Sequence, residues 1–272
     1  KRLTAVRNAT FDVRAGEIVS LIGESGSGKS TIGRMILRLS PVTEGRVLYR
    51  GEDVAQLGGH ALKRYYGRVQ GVFQDPFSSY NPVYKADRVF RMVRESFFPH
   101  VGDRDWQARV DASLGAVSLD PSQVLHKFPH QLSGGQLQRL LVARALLLDL
   151  ELLVADEIIS MLDASTRIDV LNLLADLRAR GLGVLFITHD LSLGNYISDR
   201  TVILRRGEVV ELGRTADVFG NPQHVYTQML LDSVPHLHEK WSNGIEPADV
   251  PDEPPDTELV ELEPGHLVRR AS

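Results

Sequence analysis

Cysteine is absent from the 272 residues, which excludes disulfides and thiolate metal sites and fits a reducing compartment. Long apolar runs are missing too. The most apolar stretch, residues 140–155, is interrupted by Arg144, Asp149 and Glu151, so no bilayer-spanning helix is expected. The N-terminus lacks the layout of a secretory signal and begins with Lys1 rather than Met, as a trimmed chain would. Nor does the body carry an excess of one charge. The chain is −4 overall, but residues 243–272 hold eight acidic groups against Arg269 and Arg270. That tail is −6 and the remainder +2, so no dedicated nucleic-acid surface is expected. The tail holds five of the thirteen prolines and reads as an extended, mobile extension, with residues 257–262 as a short edge strand.

What is present is ordinary in bulk and specific in detail. At 43% apolar and 24% charged, the composition is that of a soluble globular protein with one large or two small domains. Residues 17–22 read as a buried strand, and residues 31–39 carry apolar side chains at helical spacing. Between them Gly23, Glu24, Ser25, Gly26, Ser27, Gly28, Lys29, Ser30 and Thr31 fit the phosphate-cradling pattern G-x-x-x-x-G-K-[ST]. A random chain of this length carries that pattern roughly once in a hundred; the strand and helix around it make chance rarer still. The glycines let the backbone wrap closely around a polyphosphate, with N–H groups and a helix N-terminus facing the anion. Lys29 is then expected on the β- and γ-phosphates of a nucleoside triphosphate, and the Ser30 hydroxyl on Mg²⁺.

Short apolar strands are expected at residues 46–49, 69–73, 152–155, 183–187, 200–205 and 208–212, the last two joined by a turn at Gly207. Residues 3–22 read as two strands around a turn at 14–16, with Leu3, Phe11 and Val13 apolar. Helices are expected at 87–97, 103–118, 135–148 and 165–180. Alternating strands and helices imply an α/β fold with a parallel core, interrupted by a mostly helical block. Residues 152–157 form an apolar strand that releases Asp156 at its C-terminal edge, where open α/β sheets bind ligands, followed by Glu157, a candidate to orient or deprotonate an attacking water. An acidic strand end is usually a solvated one; the phosphate loop tips this one toward catalysis. In residues 132–139, Ser133 reads as an N-cap, and Gly134 and Gly135 expose the N–H groups of a second helix start, a second anion site.

The string Leu132-Ser133-Gly134-Gly135-Gln136 resembles the signature sequence of the ATP-binding-cassette (ABC) family. The resemblance covers about residues 1–235 and implies ATP and Mg²⁺ as ligands. It matches Gln74 to the glutamine that ligates Mg²⁺ and water and senses the membrane partner, and residues 160–163, ending in Asp163, to the loop that meets an opposing subunit. His189 matches the histidine on the γ-phosphate. Ser30, Gln74 and Asp156 would be the metal ligands, with Glu157, His189, Lys29 and Gln74 at the chemistry. The other eight histidines, His236 and His238 included, read as solvent or packing residues. Residues 73–82 and 221–235 resemble the dipeptide and oligopeptide importer branch.

The fold this implies is a phosphate-loop (RecA-like) core with an N-terminal antiparallel β subdomain and an inserted α-helical subdomain. Its expected bounds are residues 1–232 for the ATPase domain, with core 1–74 and 151–232 and helical insertion 75–150, then a C-terminal extension at 233–272. The implied partners are transmembrane permease subunits, a second ABC ATPase paired head to tail and, indirectly, a solute-binding protein, at the cytoplasmic face of the membrane. Three departures stand out. Ile158-Ile159 replaces the family's usual Pro-Thr, with altered packing expected rather than lost activity. The adenine-stacking aromatic would fall at or before residue 1, since Phe11 reads as core. The cysteine cluster of some branch members is missing. Two other readings are a cassette ATPase acting on DNA or ribosomes, which lacks support in inserted coiled coils or a second cassette, and a non-hydrolysing regulatory cassette, which the retained Lys29, Asp156, Glu157 and His189 argue against.

Overall fold

The computed structural model describes residues 4–160, 162–233 and 257–271. The first elements are β1 (Ile18–Ile22), α1 (Lys29–Ile36), β2 (Leu48–Tyr49), β3 (Glu52–Asp53), α2 (Gly59–Arg68) and β4 (Val69–Val72). A helical stretch follows: α3 (Arg88–Phe97), α4 (Asp103–Ala116), α5 (Pro121–Val124) and α6 (Gly134–Leu146). Then come β5 (Leu152–Asp156), α7 (Ala164–Ala179), β6 (Gly183–Thr188), α8 (Leu191–Ile197), β7 (Arg200–Arg205) and β8 (Glu208–Arg214). The chain closes with α9 (Thr215–Gly220), α10 (Val225–Asp232), β9 (Thr257–Glu263) and β10 (His266–Ala271). The chain folds as two compact units, residues 42–183 and the segments on either side of them.

In the unit built from the flanking segments, strands run in the order β6-β1-β7-β8-β10-β9. All five residues of β1 are buried, as befits a central strand covered on both faces, and its one polar residue, Ser20, shares a 2.9 Å hydrogen bond with the Thr201 hydroxyl. The strand pairs in parallel with β6 on one side and β7 on the other. Each such Val, Leu or Ile removed from water contributes roughly 1.5–3 kcal/mol. The turn from β7 to β8 places Arg206 at φ 47° and Gly207 at φ 87°, the paired positive values of a tight hairpin. Helix α10 packs Tyr226, Met229 and Leu230 against Ile22, Ile203 and Val210 of this sheet.

In the other unit β4 and β5 pair in parallel, and β2 and β3 form a small antiparallel hairpin. Helix α6 packs on α4, α3 and β4 through Leu137, Leu140, Leu141 and Val142, all buried.

Two expectations need correction. Residues 4–16 contain no strand; only the turn near residue 15 forms, and Phe11 and Val13 are partly buried. Their alternation fails to make a ladder because the segment is tied by side chains instead: the Asp12 carboxylate accepts from Arg200 and Arg14. Among the described residues before α2, the antiparallel β pairing is the β2–β3 hairpin. The tail is not extended throughout, since β9 and β10 form a hairpin at the edge of the sheet, with β10 on β8 and β9 outermost, as the edge strand expected at 257–262. Four of the tail's five prolines precede residue 257, and the fifth, Pro264, sits in the turn with Gly265, whose φ is 81°. Burial of Arg269 anchors the hairpin, its guanidinium donating to the carbonyls of Val209 and Thr257 at 2.9 Å each and of Asn8 at 3.4 Å. His236 and His238 lie outside the described residues.

Candidate functional site

The phosphate loop leaves the C-terminal end of β1. Gly26 and Gly28 take φ of 83° and 104°, values a side chain would strain. Gly23 is needed for a different reason: a Cβ there would run into the Leu204 carbonyl. Gly28 caps α1, and Lys29 opens it. The Lys29 ammonium is buried, a costly state unless compensated. It donates to the carbonyls of Gly23 at 2.7 Å and Glu24 at 2.8 Å, folding back over the loop. Ser27 donates its N–H to the Glu24 carbonyl at 3.2 Å, while its buried hydroxyl has no hydrogen-bond partner among the described residues. Glu24, Ser25, Gly26 and Ser30 are exposed, and Thr31 partly so. An orphaned buried hydroxyl inside a glycine cradle, with an ammonium parked on two carbonyls, fits a polyanion that would take over both.

β6 brings in His189. Ile22 is in register with Thr188, so Gly23 and His189 leave neighbouring strand ends. His189 is exposed. The next residue, Asp190, caps α8 by accepting from the Leu193 N–H at 3.1 Å, which fixes the turn that presents the imidazole. The sequence pattern does not announce a further contact. The Tyr226 hydroxyl of α10 accepts from the Glu24 N–H at 3.2 Å, from 202 residues away.

The second unit assembles the carboxylates. Val72 and Ala155 are in register, so Gln74 and Glu157, each two residues further on, emerge at the same end of the β4–β5 pair. Gln74 is exposed, whereas Asp156 is 6% exposed at the end of β5. Glu157 has φ +50°, an unfavourable value for a side chain with a Cβ. Its carbonyl accepts both the N–H and the hydroxyl of Ser160, at 3.2 and 2.9 Å, and Ile158 and Ile159 are buried beside it. Thus the Ile-Ile pair is buried packing beside the turn that carries Glu157.

Ser133 caps α6 as expected: its hydroxyl accepts from the Gln136 N–H at 3.1 Å, and the Gln136 side chain accepts from the Ser133 N–H at 2.9 Å. The Gln136 amide is thereby committed to the cap. Gly135 faces α7, where a Cβ would come within 3.2 Å of the Thr166 methyl. Asp163 caps α7, accepting from the Ser165 hydroxyl and from the N–H and hydroxyl of Thr166. Those bonds, the Ser165 hydroxyl first, hold its carboxyl well below the usual carboxylate range. Gln138 and Arg144 of α6 were not singled out by sequence, yet they donate to the carbonyls of Phe73 and Gly71, tying α6 to the strand that ends at Gln74. Burial lowers the pKa of Arg144 from the usual guanidinium range.

A strand, a glycine loop and a helix beside a parallel strand end, with a second strand ending in carboxylates, define an α/β protein of the phosphate-loop class. Comparison with known proteins narrows this. Residues 6–160 match the family described as "ABC transporter", and residues 210–259 match "Oligopeptide/dipeptide transporter, C-terminal region". A Brucella ovis protein named for ATP binding in peptide import is 41% identical over 86% of this chain and 73% of its own length. The oligopeptide transport ATP-binding protein OppF of Streptococcus mutans is 38% identical over 98% of this chain and 88% of its own. Among solved structures, the ATP-binding cassette MJ0796, a dimer in a post-hydrolysis state bound to ADP and Pi, superposes with a TM-score of 0.70 at 29% identity, covering 78% of this chain and 90% of that one. The chain belongs to the ABC transporter family, whose cassettes are ATPases.

Proposed function

We propose that this chain is the ATP-hydrolysing subunit of an importer for peptides or a related solute, such as an oligosaccharide or nickel. The match of residues 210–259 to the C-terminal region of oligopeptide/dipeptide transporters carries this reading, because generic cassettes lack that block. The names of the Brucella and Streptococcus relatives support it over a role on DNA or ribosomes. The chain acts from the cytoplasmic face of the membrane on transmembrane permease subunits served by a solute-binding protein; among the described residues no helix is long and apolar enough to cross a membrane itself. Residues 75–150 form the helical insertion that meets the permease, with Gln74 at its root.

ATP binds through residues 23–31 of one cassette and Ser133, Gly134 and Gly135 of a second, paired head to tail, with Asp163 near their seam. On binding, Lys29 leaves the Gly23 and Glu24 carbonyls for the β- and γ-phosphates. The Ser30 hydroxyl, the Asp156 carboxylate and the Gln74 amide would hold Mg²⁺, which when bound would neutralise phosphate charge. That donor set has one carboxylate, so water and nucleotide oxygens would complete the coordination. Glu157 orients and deprotonates the attacking water, His189 steadies the γ-phosphate, and closure follows from the tighter hold of the paired state on ATP.

Glu157→Gln should retain ATP binding and reduce phosphate release by about 10²–10⁴-fold, the usual contribution of a general base. In cells, uptake of a labelled oligopeptide should fall with it. Normal hydrolysis would remove Glu157 from the chemistry; lost hydrolysis with undiminished peptide uptake would remove the chain from peptide import.

A further inference from the structure

The block at residues 221–231 serves as a family marker, and no step of ATP hydrolysis uses it. Its place in the fold gives it work to do. Tyr226 lies in the first turn of α10, 1% exposed, with its ring in the apolar cluster formed by Ile22, Ile203, Val210 and Met229. Ile22 is the last residue of β1 before the phosphate loop, so the ring is packed directly beneath the root of that loop. The Arg205 guanidinium lies 5.2 Å from the ring centroid and adds a second restraint on its orientation. From this fixed ring the hydroxyl accepts the Glu24 N–H at 3.2 Å.

The start of α10 is itself held. The buried carboxylate of Glu211, on β8, accepts the N–H of Gln223 at 2.9 Å and of His224 at 3.0 Å, while His224 Nδ1 accepts the Tyr226 N–H at 3.1 Å. Glu211 also meets the buried His266 imidazole of β10 at 2.7 Å, so the C-terminal hairpin closes the same cluster. A continuous chain of buried polar contacts thus runs from the C-terminal hairpin through Glu211 and His224 to Tyr226.

We propose that Tyr226 is a positioning residue for ATP binding, holding the first turn of the phosphate loop from behind. In the nucleotide-free chain the Glu24 peptide is gripped at both ends, its N–H by Tyr226 and its carbonyl by Lys29 and Ser27. When Lys29 moves to the phosphates, the carbonyl grip loosens, and the Tyr226 hydroxyl becomes the side-chain tether that keeps the Glu24 peptide in place. A loop already in its binding geometry pays less ordering entropy when nucleotide arrives, so the tether acts on affinity rather than on the chemical step. This rests on residues 23–31 being the ATP site, the reading given above.

Tyr226→Phe keeps the ring and its packing and removes only the hydroxyl. In the full chain, a fluorescent ATP analogue should bind about three- to tenfold more weakly, the effect of one hydrogen bond. KM for ATP should rise by a similar factor, with kcat within about twofold and the urea midpoint unchanged. Tyr226→Ala should lose both affinity and stability, since the ring leaves its cluster. Unchanged affinity and KM in Tyr226→Phe would overturn the proposal, as would a fall in its urea midpoint that accounts for the affinity lost. Lys29→Ala separates the two readings: its binding of the analogue should vanish, and if it persists, the loop is not the ATP site and the failure lies there.

Discussion

Lys29 is held by contacts that the proposed polyphosphate ligand would have to break. Its buried ammonium satisfies two loop carbonyls, and both would lose that donor if it turned to phosphate as proposed. Lys29→Met, which keeps an apolar stem but leaves those carbonyls without it, should therefore destabilise the nucleotide-free protein by about 1–3 kcal/mol in urea unfolding, besides abolishing ATP binding. Tyr226 gives a residue-scale test by pH. Burial first, then the nearby Glu24 charge, pushes its hydroxyl up to about 12, against a usual value of 10.0. The folded chain thus keeps a proton that the unfolded chain loses, so the hydroxyl leaves stability unchanged below pH 10 and lowers it as pH climbs from 10 to 12 and ionisation penalises the folded state. Tyr226→Phe should flatten that part of the stability profile; an identical alkaline decline in both proteins would show that the hydroxyl is not strongly desolvated.

At the scale of elements, the C-terminal hairpin offers the sharpest prediction. Arg269 is buried and donates to carbonyls from Val209, Thr257 and Asn8. Arg269→Ala leaves these acceptors without their shared donor and should lower stability by about 2–3 kcal/mol. Amide exchange in residues 257–271 should quicken more than in β1, and uniform exchange across the sheet would argue that the hairpin is not a separate docking unit. Which elements were legible follows from length and burial. Helices α3, α4, α6 and α7 and strands β5 and β6 carried clear patterns and were read with small boundary errors. Helix α2 was not: of its residues only Tyr65 is buried, and it opens at Gly58 and Gly59 with no side-chain cap to mark its start. Strand β3 is two residues long, too short to carry a period. Residues 4–16 misled in the other direction, because Phe11 and Val13 alternate without a partner strand.

At the scale of the whole molecule, the chain carries both a phosphate loop and the capped helix α6, the two surfaces that the proposed head-to-tail pair would present to ATP. Hydrolysis per chain should therefore rise with cassette concentration and level off once pairs form. A rate per chain that is constant over a hundredfold dilution would show that one cassette suffices. What the sequence determined unaided was local: the loop at 23–31, the carboxylates ending β5 and the Ser133 cap. In each, a contiguous string dictates its own backbone geometry through glycine dihedrals, a continuous apolar run or a side chain reaching a nearby N–H. The tertiary structure alone decided that Tyr226 reaches Glu24, that Glu211 meets His266 and that Arg269 is buried beneath an edge hairpin. Those contacts depend on the packing and register of segments far apart in the chain, and single-chain patterns carry no trace of where a distant strand will lie.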